Sequence, residues 1–292
     1  MRRSCLLILA VAAASCTGTN SARDAGDLTR SLVRVEVSYT HLAGAADLRF
    51  DAQAHFVRYR SFDPAGVPTI LGFVDYDAIG LDSCRATDGA SEVDAALVAQ
   101  NGLVPAEVAL LDAGRIELRG PAASGDRSII RAKRYPELVP FVSGVVYGGE
   151  DTQPVALALG QPYQVAGDGG EEVGPFLAQA AAPHAFPSLS LEPLRHAQEL
   201  YVRWAGGSDS STEPLLLEVK WTSRAGSRAV RCRVRDDGEF AVPASAFESL
   251  PPGAAATVSA TRVSRGPIDA PGVGHGELSV ALRDVAPLQV QP

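Results

Sequence analysis

The sequence lacks several things that would assign it to familiar classes. It has no apolar run able to cross a bilayer as a helix, which takes about 20 residues; the stretch Leu6 to Ala14 has only nine. It has no long stretch of helical periodicity, so helical bundles are excluded. Lysine is nearly missing: Lys133 and Lys220 stand alone and the rest of the 26 basic residues are arginine, a bias of genome composition and not of function. Positive charge is in deficit overall, at −8 for the whole chain, which argues against nucleic acid and anionic lipid as general partners. There is no GxSxG elbow for a serine nucleophile, no GK[ST] to close a phosphate loop, and no pair of histidines at i and i+4 for zinc. His41, His55, His184, His196 and His275 share no metal-ligand spacing, and no cofactor is implied.

What is present is a chain of globular composition, 46% apolar and 21% charged, and long enough for about two domains. It begins with a segment built for export. Arg2 and Arg3 form a positive front, Leu6 to Ala14 an apolar run, and small residues precede a cut site. The tetrad Ala13-Ala14-Ser15-Cys16 resembles the lipobox of bacterial lipoproteins. That resemblance implies that residues 1–16 are a lipoprotein signal peptide and that Cys16 becomes a mature N-terminus carrying a diacylglyceryl thioether and an acylated amine. Two or more chains, each methylene adding about 0.8 kcal/mol of membrane affinity, hold a protein stably. The alternative is an ordinary secretory peptide that leaves Cys16 a thiol. The localisation expected is the cell envelope, anchored by lipid and facing the periplasm or the surface.

Of four cysteines, Cys5 leaves with the signal and Cys16 is alkylated, so Cys84 and Cys232 remain. In an oxidising compartment they bridge or stay as two separately buried thiols, and the sequence leaves both open.

Residues 17–27 are small and polar, a flexible tether. From there the period is two. Val33, Val35, Val37 and Tyr39 share one face, opposite Arg34, Glu36 and Ser38, and this predicts a half-buried strand. Leu48 to Phe56 keeps the alternation, but Val57 and Tyr59 fall on the other face, which predicts a β-bulge. Thr69–Tyr76 is a further strand. Val108–Leu111 and Arg115–Arg119 read as a hairpin closed by Asp112-Ala113-Gly114. Strands follow at Ile129–Tyr135, Phe141–Tyr147 and Val155–Leu159, while Ser91–Asn101 fits a short helix or a strand.

The pattern stops at Ala180–Pro187, where a domain boundary is expected. Beyond it come strands around Leu200–Trp204, Leu215–Trp221, Val230–Val234, Phe240–Val242, Val258–Val263 and Leu278–Leu282, with one helical turn at Ala244–Leu250. The expected fold is all-β: two antiparallel, Ig-like β-sandwiches in tandem, residues 28–183 and 188–292.

The phrases LLDAG (Leu110–Gly114), YQVAGDGGEEVGPF (Tyr163–Phe176), LYVRWAGG (Leu200–Gly207) and CRVRDDGEFAVP (Cys232–Pro243) resemble an uncharacterised family of exported tandem β-sandwich proteins of soil bacteria. The resemblance implies a fold and brings no activity.

Four constellations merit a chemical reading. Gly167–Gly174 is glycine-rich, yet Glu171 and Glu172 would repel phosphate, so it reads as a tight connection. Asp75, Asp77 and Asp82, with Asp63, are calcium candidates at alternate positions, though Ile79 and Ala86 break the helix-loop-helix template. Arg231, Arg233 and Arg235, with Arg224 and Arg228, form either a basic patch or the solvent face of a strand. Trp204, Trp221, Tyr147 and Tyr163 form either a sugar-stacking platform or core, and Trp204 and Trp221 fall in phase with aliphatic residues. The expected function is therefore a non-enzymatic envelope lipoprotein serving adhesion, envelope structure or ligand capture, with the membrane and an envelope polysaccharide or protein as partners. The alternatives are a hydrolase with a site assembled from loops, and a carbohydrate-binding module.

Overall fold

The structure, a computed structural model, describes residues 29–60, 74, 76–88, 107–139, 142–148, 152–195, 198–205, 213–223 and 226–291. The export segment with Cys16, the tether, Ser91–Asn101, most of Thr69–Tyr76, Asp63, Asp75, His196 and Arg224 lie outside the described residues.

Two-residue periodicity dominates, and the described residues form strands and a single 3-10 turn at Ala244–Phe247. In chain order the strands are β1 (Thr29–Leu42), β2 (Arg49–Arg60), β3 (Ser83–Asp88), β4 (Glu107–Leu110), β5 (Ile116–Arg119), β6 (Arg127–Ile130), β7 (Ala132–Val139), β8 (Val142–Gly148), β9 (Pro162–Gly167) and β10 (Phe176–Ala181). Then come β11 (Leu189–Leu191), β12 (Leu194–Arg195), β13 (Leu200–Trp204), β14 (Leu215–Ser223), β15 (Gly226–Val234), β16 (Glu239–Val242), β17 (Ala256–Ala270), β18 (Gly274–Leu288) and β19 (Val290–Gln291).

One nine-stranded sheet, ordered β15-β14-β17-β18-β1-β2-β4-β8-β7, runs through the molecule. Two smaller sheets cover it on one side. The four-stranded sheet β10-β9-β5-β6 encloses a first core with Val33, Val35, Val37, Phe56, Ile116, Leu118, Tyr163 and Val165. The three-stranded sheet β11-β13-β16 encloses a second with Leu200, Val202, Leu217, Val219, Val230 and Val258. The fold is all-β, two sandwiches built on a common sheet. Its pairings are mostly antiparallel, with parallel joints between β1 and β18, β4 and β8, and β12 and β19.

The division expected at 180–187 is crossed in both directions. The 15-residue strands β17 and β18 form one hairpin long enough to serve both cores. Ala256, Val258 and Leu288 pack in the second, whereas Ile268, Ala270, Leu278, Val280 and Leu282 pack in the first. Burying five such side chains stabilises the first sandwich by on the order of 10 kcal/mol, so residues 28–183 do not complete their own core. In the opposite direction, residues 76–88 lie against β15. Leu81 bridges to Arg233, the Asp82 N–H donates to the Arg233 carbonyl at 2.7 Å, and Thr87 Oγ1 donates to the Ala229 carbonyl at 3.2 Å.

Four local expectations differ from the structure. Strands β1 and β2 pair without a slip from Thr29↔Arg60 to Thr40↔Arg49, so there is no bulge at Phe56–Val57. Both faces are buried there instead. Phe56 points into the first core, while Val57 and Tyr59 join Val108 and Leu110 in an apolar cluster on the outer face. A strand buried on two sides loses its alternation without any change of register. Among the described residues, a ladder irregularity lies between Tyr135 and Val139.

The expected hairpin across Asp112-Ala113-Gly114 is a crossover between layers, because β4 belongs to the large sheet and β5 to the four-stranded one. Leu111 and Ala113 are both fully buried, and Asp112 accepts hydrogen bonds from the Gly114 N–H and the Tyr147 hydroxyl. Ile129–Tyr135 similarly divides into β6 and β7, which belong to different sheets. Val155–Leu159 is not a strand; its main chain is held by side chains. Val155 and Ala156 carbonyls accept the Tyr39 and Tyr163 hydroxyls, and the Ala156 N–H donates to Asp126.

Candidate functional site

The alternation of β13 sends Leu200, Val202 and Trp204 inward and Tyr201 and Arg203 outward. Tyr201 is therefore a large aromatic side chain left 51% exposed. It lies in an open cleft of ≈ 680 Å³ with Glu192, Arg195, Gln198, Glu199 and Gln291. The short parallel pair β12 and β19 brings Arg195 and Gln291 side by side. The Tyr201 hydroxyl donates to Glu199 Oε2 at 3.2 Å, and Arg203 Nη1 donates to Glu192 Oε1 at 3.0 Å. Both carboxylates are thus held in place by side chains of β13. The cleft offers hydrogen-bonding groups of both kinds around one apolar ring, which is a binding surface.

Its position follows from strand register. Strand β1 runs parallel to β18 from Val33↔Gly276 to Leu42↔Val285, so β18 and then β19 continue past the end of β1. At about 3.3 Å per residue, the stretch from Gly276, the partner of Val33, to Gln291 spans at most about 50 Å.

The residues singled out by sequence fall elsewhere. Trp204, Trp221, Tyr147 and Tyr163 are each no more than 6% exposed, so they are core and form no stacking platform. The arginine stripe is drawn into ion pairs, two of them with residues 76–88, while Arg235 at its end keeps a side chain 68% exposed. Arg231 pairs with Glu218 at 2.7 Å, Arg235 with Asp82 at 2.9 Å, and Arg233 approaches Asp77 at 3.9 Å. Those same contacts bear on the calcium reading. Asp77 lies between Arg233 and Arg265, and Asp82 also accepts the Arg235 N–H, so both described carboxylates face guanidinium groups and not each other. The glycine-rich loop packs on the crossover: a Cβ on Gly170 would lie 2.2 Å from the Asp112 carbonyl oxygen, and one on Gly114 the same distance from that of Gly169. Close main-chain approach, not a phosphate, explains these glycines.

Cys84 and Cys232 are joined by a disulfide, across 148 residues of sequence. It fastens β3 to the inner side of β15, where Cys232 is fully buried in the second core.

Two buried polar clusters pin the connection between the sandwiches. Arg262 donates through Nε and Nη2 to both carboxylate oxygens of Asp236, through Nη1 to the Ala185 and Phe186 carbonyls, and through Nη2 to the Ala205 carbonyl. Trp204 Nε1 also donates to Asp236 at 2.8 Å. Asp284 accepts the Leu189 N–H at 2.6 Å and lies 2.7 Å from His41 Nδ1. His55 is different: desolvation on the outer face, with Arg34 nearby, pulls its pKa down to about 4. At the crossover, the Gly114 N–H, aided by Tyr147 and Arg134, holds the Asp112 carboxyl below its usual range, while burial raises the Tyr147 phenol. These groups hold the fold. The exposed groups around Tyr201 are free to meet a ligand, and an outward Tyr between Leu200 and Val202 was the available sequence signal.

No protein-family model and no curated protein matches the chain. A crystal structure of chicken CNTN1 FN1-FN3 domains is similar over 63% of this chain and 61% of that one, at 15% identity and a TM-score of 0.18. The chain thus spans about three fifths of that protein's length, and a TM-score of this size does not establish a shared arrangement. Among the described residues no helix is long and apolar enough to cross a membrane.

Proposed function

We propose that the protein is a lipid-anchored, non-enzymatic component of a bacterial cell envelope, whose two sandwiches carry a binding cleft away from the membrane for adhesion or ligand capture. The observation that carries this reading is the order of parts: a positive front, a nine-residue apolar run, Ala13-Ala14-Ser15-Cys16, a polar tether, then β1. Cys16 would hold the acyl chains, and its two-chain anchoring is stable where one chain is reversible. The cleft, up to about 50 Å from Val33 of β1, supports display at a distance. Interlocked cores and a disulfide suit a spacer outside the cell, where disulfides persist.

Membrane fractionation tests the anchor. Wild type should sediment with membranes and Cys16→Ala should appear in the soluble fraction. Wild type already soluble would overturn the anchor. Reproducible labelling of one serine by a serine-reactive probe would overturn the non-enzymatic assignment.

A further inference from the structure

We infer that the cleft around Tyr201 binds a segment of neutral polysaccharide, an inference that rests on the ligand-capture reading above and names the ligand class. A sugar ring has two recognisable features, an apolar C–H face and a rim of adjacent hydroxyls. The cleft matches both. The half-exposed ring of Tyr201, with Pro193 and Ala244 in the same lining, offers an apolar surface, and the flat face of an aromatic ring is suited to covering a C–H face. Around it stand Glu192, Glu199, Gln198, Gln291 and Arg195, planar groups that pair with two neighbouring hydroxyls at once.

Pre-organisation supports the assignment. The Tyr201 hydroxyl and Arg203 hold Glu199 and Glu192 in place, so less side-chain freedom is lost on binding. The volume of ≈ 680 Å³ lies within the range of about 300–1,000 Å³ typical of small-ligand sites. Charge then selects among glycans. Among the described residues Glu192, Glu199 and the adjoining Glu239 outnumber Arg195 and Arg203, a net negative balance that opposes chains bearing uronate or sulfate.

The test is calorimetric titration of the purified full-length chain with cellohexaose, maltohexaose and chitohexaose, and with hexagalacturonate as the acidic control. At least one neutral hexasaccharide should bind, and hexagalacturonate should bind none or far more weakly. Tyr201→Ala should weaken the neutral ligand by about tenfold, equivalent to about 1.4 kcal/mol, whereas Tyr201→Phe, which keeps the ring, should retain most of the affinity. Thermal melts check that each variant folds; if Tyr201→Ala melts low, Glu199→Gln at the exposed carboxylate serves in its place and should weaken binding by at least a few fold. Three neutral sugars without binding, tighter binding of hexagalacturonate, or full affinity in folded Tyr201→Ala would overturn the inference. Titration does not depend on anchoring, so its failure is separate from that of the fractionation experiment.

Discussion

Removal of the Asp236 carboxylate is the sharpest perturbation available to this fold. Its side chain and that of Arg262 are 3% and 9% exposed, and they meet at 2.6 Å. Arg262 also ties the Ala185 and Phe186 carbonyls of the connector to the second sandwich, and Trp204 shares the carboxylate. Asp236→Ala leaves a buried guanidinium without a counter-charge, a situation that costs about 3–5 kcal/mol. Spread over a protein of this size, at roughly 2–4 °C per kcal/mol, the melting temperature should fall by about 10 °C. Arg262→Leu alone should cost a similar amount, because Asp236 is then the unpaired buried charge. The double variant Asp236→Leu/Arg262→Leu should lose clearly less than the two single losses combined, since neither charge is left alone. Urea denaturation followed by circular dichroism measures all four species. A loss below about 1 kcal/mol for Asp236→Ala, or strict additivity in the double variant, would refute the argument that the pair acts as a buried, mutually dependent pin.

Two further outcomes are expected. Intact mass should rise by about two hydrogens on reduction, and the chain-entropy estimate for a bridge closing 148 residues is about 5 kcal/mol, so Cys232→Ala should melt well below wild type; labelling of Cys84 and Cys232 by a thiol reagent in the unreduced protein would contradict this. Stability should also fall between pH 6.5 and 4. Above pH 6.5 His55 is neutral folded and unfolded; below it the unfolded chain takes up a proton that the fold refuses until its depressed pKa of about 4 is reached. The loss cannot exceed about 3.4 kcal/mol, and His55→Gln should flatten the curve in that window, whereas an unchanged slope would place the effect on other groups.

The sequence by itself determined the all-β class and the inward faces of several strands, and it carries the export reading. Arg2 to Cys16 reads as an export segment because charge, apolar length and small residues are local properties. The inward faces of β1 and β13 read correctly because period two is also local: Val33, Val35, Val37 and Tyr39 bury, as do Leu200, Val202 and Trp204. The core placement of Trp204 and Trp221 followed from the same phase. Local pattern failed where burial came from a second layer. Val57 and Tyr59 suggested a bulge because nothing in β2 announces that its outer face will be covered. Asp112-Ala113-Gly114 suggested a hairpin because turn chemistry is the same whether the next strand pairs back or crosses to the other sheet.

Only the tertiary structure decided how the two sandwiches share their parts. Strands β17 and β18 bury one end in each core, residues 76–88 cross to pair with Arg233 and Arg235, and Cys84 meets Cys232. These are contacts between residues far apart in the chain, and no periodicity specifies them. The Tyr201 cleft is of the same kind. Its ring is legible as an outward residue of an alternating strand, but Arg195 and Gln291 join it only because β19 pairs with β12 after β18 has passed through both cores.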